Sequence, residues 1–251
     1  MAKNHIKRVN APKRWDVLRK NKTFITRPNP GRDISLSISL NSALKEMLGK
    51  AKTTKESKFM IKTQEVLVNG KRRFDEKFPV GFLDVISFPS IKEHYRLLVN
   101  QKDKLFLDKI SEEESKVKLS KVINLVHLPR GIVQLNCSDG KNFLFKKDDP
   151  LLKQIKRNDS LLYSIPGNQI KKHLKMEKGA LVYLYKGKHV GNLVKIDDLD
   201  PAEPNIVFKL DDDVFETRRI YAFVVGQDKP VISLSIRQSA PGNNDGRKPN
   251  P

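Results

Sequence analysis

The chain has 251 residues, with 49 Lys or Arg against 29 Asp or Glu and a formal net charge of +20. That excess is unlike a generic cytosolic enzyme and implies a polyanionic partner, either nucleic acid or an acidic membrane surface. One cysteine, Cys137, and five scattered histidines (His5, His94, His127, His173, His189) exclude a disulfide framework and a zinc-type ligand set, so neither metal nor cofactor is expected. The length allows two or three small domains.

Residues 1–35 read as a basic arm. Residues 1–32 hold Lys3, Lys7, Arg8, Lys13, Arg14, Arg19, Lys20, Lys22, Arg27 and Arg32 against one acid, Asp16. Pro12, Pro28 and Pro30 break regular structure. So polar a stretch is expected to order only against a partner. Trp15 sits where no local core is expected. It is read either as a ring that stacks on a base or another protein, or as one that folds back onto its own domain.

Residues 36–90 carry the most specific pattern. Leu40, Ala43, Leu44, Met47 and Leu48 fall on one face of a helix, with Asn41 or Ser42 able to cap it and Gly49 weakening its end. Thr53 and Glu56 have capping-box spacing, so a second helix is expected from about Thr54. Its apolar face would be Phe59, Met60 and Ile61, and its basic face Lys55, Lys58 and Lys62. Val66 to Asn69 alternates as a short strand, and Asn69-Gly70 is a hairpin signal followed at once by Lys71, Arg72 and Arg73. These cations, with Lys45, are candidates for RNA phosphate contact. A merely solvated face is the competing reading.

Residues 91–174 read as a β-rich central unit. Tyr95–Val99 and Lys104–Leu107 predict a hairpin about Asn100–Asp103. Ser111 predicts a cap for a helical turn whose three glutamates point apart and so do not converge on an ion. Strands follow at Leu119–Leu128 and within Gly131–Phe145, with a turn at Ser138–Lys141. Cys137 reads as an apolar filler and Asp148-Asp149-Pro150 as a turn. Leu161–Ile165, the turn Pro166–Asn168 and Gln169–Leu174 are expected to close a small barrel-like sheet.

Residues 175–237 place Gly179, Gly187 and Gly191 around strands at 181–185 and 193–196, where glycine lets the chain reverse tightly. Ile206–Leu210 and Val214–Arg218 flank a turn at Asp211–Asp213, read as solvated. Residues 238–251 are poor in apolar side chains and read as a flexible tail. The overall expectation is an α+β chain: basic arm, small helix–helix–strand domain, then two small β-barrel-like units. No run of 18 apolar residues offers a membrane span, and the first residues lack a signal-peptide core, so a reducing intracellular setting is expected.

The helix pair, Val68-Asn69-Gly70-Lys71 and Phe78-Pro-Val-Gly-Phe-Leu-Asp-Val-Ile86 resemble the S4-type RNA-binding domain. His5–Trp15 and Arg27-Pro-Asn-Pro-Gly31 are similar to the N-terminal signature of the eukaryotic-type and archaeal small-subunit ribosomal protein S4 family. Lys118–Val122 and Asp149–Leu152 resemble that family's central domain. Lys178–Ile196 resembles a KOW motif, with Val194 where a glycine is usual. The resemblance implies a non-enzymatic constituent of the small (40S) ribosomal subunit, cytoplasmic with a nucleolar assembly stage. Its partners would be rRNA and neighbouring ribosomal proteins, with no membrane and no small-molecule substrate. The rRNA contacts it suggests are Lys3, Lys7, Arg8, Lys13, Arg14, Trp15, Arg27, Lys45, Lys55, Lys58, Lys62, Lys71, Arg72 and Arg73. The alternatives are a KOW-bearing transcription or translation factor and an RNA-modifying enzyme.

Overall fold

The computed structural model describes residues 5–200, 203–210 and 213–234. Lys3, the tail at 238–251 and two of the three acids at 211–213 lie outside them. Short helices and many antiparallel strands make an α+β fold built around three five-stranded sheets.

The arm is already folded. β1 (Ile6–Lys7) pairs with β2 (Phe24–Ile25), Ile6 opposite Ile25. Ala11, Trp15 and Ile25 enter the same core as Ile38, Leu44, Ile61 and Val68. This corrects the expectation of an arm ordered only by a partner. Its few apolar residues, with backbone carbonyls accepting from Arg8 and Arg19, suffice to seat it on the neighbouring unit.

β3 (Ser37–Ser39) leads into α1 (Leu40–Ser42), whose cap is Ser39 rather than Asn41 or Ser42. The helix widens at once into a π turn over Ala43–Met47. α2 (Thr54–Thr63) begins at the expected box: the Thr53 side chain accepts from the Glu56 amide, and Glu56 accepts from the amide of Thr53. The inward residues of α2 are Ser57 and Ile61, and Phe59 faces solvent. β4 (Leu67–Val68), β5 (Lys71–Arg72), β6 (Pro79–Gly81), β7 (Val85–Phe88), β8 (Glu93–Val99) and β9 (Leu105–Ile110) follow. β6 pairs with β3, and the rest form one sheet in the order β5-β4-β7-β8-β9. The hairpin read as the start of the central unit is therefore continuous with the first sheet, through Ile86 opposite Tyr95. An apolar run through Leu97, Leu98 and Val99 buries both faces, which is what a central strand needs.

α3 (Glu112–Ser115) carries the Ser111 cap and opens β10 (Val117–Leu128). β11 (Ile132–Cys137) and β12 (Asn142–Lys146) follow. Asp149 caps α4 (Pro150–Gln154), so the expected turn is a helix start with Pro at its first position. With β13 (Ser160–Ser164) and β14 (Ile170–Leu174), the second sheet runs β12-β11-β10-β13-β14. β11 alternates cleanly: Val133, Leu135 and Cys137 point inward. Burial pushes the Cys137 thiol up to about 12, so it is a filler and not a nucleophile at neutral pH.

The third sheet runs β18-β17-β16-β15-β19, from β15 (Leu181–Leu184), β16 (Leu193–Asp198), β17 (Asn205–Leu210), β18 (Asp213–Arg218) and β19 (Ala222–Gly226). Its core takes in Leu83 from the β6–β7 turn, Leu98 from the first sheet, and Leu119 and Leu162 from the second. Gly191 has φ +82 and lies so close to the Asn100–Gln101 backbone that an added Cβ would sit 2.4 Å from the Gln101 nitrogen.

Candidate nucleic-acid interface

The basic helix and basic hairpin are held side by side. α2 buries Ile61 beneath and leaves Lys55, Lys58 and Lys62 exposed, with Lys52 exposed just before its cap. The hairpin turns at Asn69 (φ 51) and Gly70 (φ 70), the left-handed pair that a tight primed turn needs. Lys71 and Arg72 project from the outer edge strand. The Arg72 guanidinium donates to the Lys62 carbonyl at 3.2 Å and lies 4.8 Å over the Phe74 ring. Arg73 is half-buried, 4.2 Å over Phe78. These aromatic contacts hold the planar cations in place. Lys58 is partly neutralised by Glu76 at 2.9 Å.

What fixes the hairpin is a buried carboxylate. Asp84 is fully buried and receives Asn69 Nδ2 at 2.8 Å, the Gly81 amide at 2.7 Å, Arg32 at 3.0 Å and Lys118 Nζ at 2.6 Å. Lys118 continues to Asp139 at 3.0 Å, which accepts from the Tyr163 hydroxyl at 2.6 Å. Burial alone would raise the Asp84 pKa. The Lys118 and Arg32 charges outweigh it and hold the carboxyl below its ordinary range. Asp139 is likewise depressed, its burial outweighed first by Lys118. Gly81 has no side chain because Arg32 lies across it, 2.5 Å from where a Cβ would stand. Sequence reading missed Asp84, Arg32 and Lys118 as a group. The only signal was an aspartate inside the apolar run Phe82-Leu83-Asp84-Val85-Ile86.

The other side of the turn meets the second sheet. A Cβ on Gly70 would fall 2.5 Å from Ile165, so the tip packs against the β13–β14 turn. Lys71 and Lys141 come close enough that Lys71 depresses the Lys141 pKa, a minor addition to burial. The cationic face thus continues from one sheet to the next.

The arm cations divide. Lys7, Lys13 and Arg27 are exposed. Arg14 pairs with Asp103 at 2.7 Å, and its carbonyl accepts from the Leu105 amide at 2.8 Å. Arg8 and Trp15 correct the expected contact set. Arg8 is buried against Glu46 at 2.8 Å and donates to the Leu18 carbonyl. Trp15 is 1% exposed, and its indole donates to the Ser37 carbonyl at 2.8 Å. Neither side chain is open to a base or phosphate in this conformation. Lys45 is brought beside the arm: burial lowers its pKa, Glu46 opposes that, and Lys22 and Arg8 lower it further.

Comparison with known proteins agrees with this architecture. The family model described as Ribosomal family S4e matches residues 91–170, and the RS4NT domain model matches residues 2–31. Small ribosomal subunit protein eS4 of Methanocaldococcus jannaschii is 40% identical over 240 residues, covering 92% of this chain and 98% of the relative. The eS4 protein of Methanosphaera stadtmanae is 36% identical over 238 residues, covering 93% and 96%. The crystal structure of 30S ribosomal protein S4e from Thermoplasma acidophilum matches with a TM-score of 0.66 and 30% identity, over 76% of this chain and 96% of that one. A match that covers more than nine-tenths of this chain and of these relatives places this chain in the S4e family of ribosomal proteins.

Proposed function

We propose that this protein is a structural constituent of the small ribosomal subunit, held on rRNA by backbone electrostatics and supporting subunit assembly and translation. The observation that carries the reading is its near full-length membership of the S4e family, which is structural and not enzymatic. The cations of α2 and the Asn69-Gly70 hairpin, with the exposed cations of the arm, supply the means. Lys7, Lys13, Arg27, Lys55, Lys62, Lys71 and Arg72 offer phosphates mobile or stacked cations, and Lys45, Lys58 and Arg73 border them. Lys3, outside the described residues, would extend the same charge.

Residues 36–90 would act as an S4-type RNA-binding unit and 175–237 as a KOW-like unit that braces the fold. Residence is on the cytoplasmic ribosome, with a nucleolar assembly stage where the cell has a nucleolus. The test is sedimentation of a lysate in high salt. Stoichiometric migration with the small subunit supports the proposal. Release to the top of the gradient would demote the protein to a transient factor.

A further inference from the structure

Two phenylalanines on the cationic face have no place in phosphate binding. Phe59 on α2 is 67% exposed, and Phe74 after β5 is 60% exposed. Single exposed apolar residues are ordinary on a surface. Arg72 ties the segment that carries Phe74 to the helix that carries Phe59. Arg72 reaches the Lys62 carbonyl, one helical turn beyond Phe59, while its guanidinium covers one face of Phe74 at 4.8 Å. Among the described residues, Lys55, Lys62, Lys71 and Arg72 make no ion pair, so the rim of the patch keeps its positive charge. Glu56, the acid of the first turn, is consumed by the helix cap, its carboxylate accepting from the amides of Lys52 and Thr53.

Flat aromatic rings standing in a cationic field fit a nucleobase whose own phosphate is held by the rim. A fully paired A-form helix hides its base faces within the stack and offers such rings nothing. We propose that this face takes RNA bearing unpaired bases, with Phe59 and Phe74 as stacking platforms and Lys62, Lys71 and Arg72 gripping the adjoining phosphates. The proposal rests on the rRNA reading above and narrows its target from backbone in general to a loop, bulge or single-stranded segment.

The test uses the full chain and two probes: a single-stranded RNA carrying 2-aminopurine, and the same strand annealed into a blunt duplex. Wild type should bind both with salt-dependent affinity and quench the fluorescence of the single strand. Phe59→Ala and Phe74→Ala should each weaken single-strand binding about 5- to 100-fold and lose quenching. Duplex affinity and the salt slope should not change. Phe74→Trp should retain quenching. Both rings are exposed, so the variants are expected to fold, and unchanged circular dichroism and melting check this.

Variants that bind the single strand like wild type overturn the inference and leave the phosphate reading standing. Equal losses on strand and duplex also overturn it, since the rings would then be shaping the surface. No salt-dependent binding of either RNA by wild type would remove the RNA reading of this face itself. In assembled subunits, a benzophenone amino acid at position 59 or 74 should crosslink to rRNA. Crosslinking to a protein neighbour instead would assign the patch to a protein contact and overturn the inference.

Discussion

At the scale of single residues, the fold depends on a few buried polar groups. Asp84, between β6 and β7, accepts from two charged side chains, one amide side chain and one backbone amide. Removing one member of such a group leaves the others charged and unpaired in a dry site, which typically costs about 3–5 kcal/mol. Asp84→Asn should therefore lower the unfolding free energy by about that amount, read by urea titration. The pH dependence follows from the direction of the shifts. Folded Asp84 and Asp139 have pKa values below their unfolded ones, so the native state binds fewer protons in the acid range. Their stabilisation is complete above the ordinary carboxylate pKa of about 4 and is lost as pH falls through the depressed values. Asp84→Asn should flatten the acid limb of the stability profile, and an acid limb as steep as wild type would remove Asp84 from the account. Trp15 belongs to the same scale. Trp15→Ala should cost about 3–5 kcal/mol by leaving a cavity where a fully buried ring packed. A melting temperature unchanged by that substitution would contradict the folded arm.

At the scale of elements, local rules and tertiary demands separate cleanly. The Thr53–Glu56 box, the Asn69-Gly70 turn and the Ser111 cap all form where side-chain spacing puts them, because each is satisfied within about four residues of chain. The first helix passes from α into a π turn that spacing did not show, and its Leu40, Ala43 and Leu44 share one core with Trp15 of the arm and Leu105 of β9. Gly191 shows the opposite dependence. Its φ of +82 suits the turn, but the stricter demand is the Asn100–Gln101 backbone lying against it. Gly191→Ala combines left-handed strain, of order 1–3 kcal/mol, with a clash against backbone that cannot swing aside. The expected result is a destabilised third sheet with faster amide exchange at Leu184 and at position 191. The amide of Gly191 donates to the Leu184 carbonyl and that of Leu184 to the Asn192 carbonyl, so both bonds flank the turn. Exchange as slow as wild type would show that the close approach is dispensable.

At the scale of the molecule, the three sheets are cross-braced, and the bracing aims the cations. Phe82 stacks on Tyr185 at 5.3 Å, linking the β6–β7 turn to the end of β15 in the third sheet. Glu114 pairs with Arg96 at 3.0 Å and accepts from the Ser233 hydroxyl at 2.6 Å. Lys121, buried on β10, donates to the carbonyls of Arg219, Ile220 and Ala222, and burial lowers its pKa to about 7. A braced fold that carries these cations on its surface predicts a salt effect. Replacing Lys71, Arg72 and Arg73 together with Ala should weaken RNA binding across sequences and reduce the slope of log K against log salt by about 1–3. Affinity measured at four or five salt concentrations decides this, and an unchanged slope would take the hairpin out of the contact set. Deleting residues 5–32 should damage the fold as well as any assembly role, because Ala11, Trp15 and Ile25 lie in the first core.

The sequence by itself determined the broad chemistry: a polyanion-binding chain, its order of parts, its helix caps and its hairpin turns. These depend on composition and on contacts between near neighbours, which a linear reading can see. The α+β class and most strands were legible for the same reason, since alternation along β11 reports a buried face directly. Only the tertiary structure decided which cations remain free. Arg8, Arg32 and Lys118 look like any other basic residue in sequence, yet each is spent on a carboxylate that lies 34 or more residues away. Trp15 became core because Ser37 and Ile34 offered its indole their carbonyls, and Phe59 became surface because Ile61 occupied the inward position of α2. Burial and ion pairing are set by long-range neighbours, and that is why the face was readable in the sequence and its membership was not.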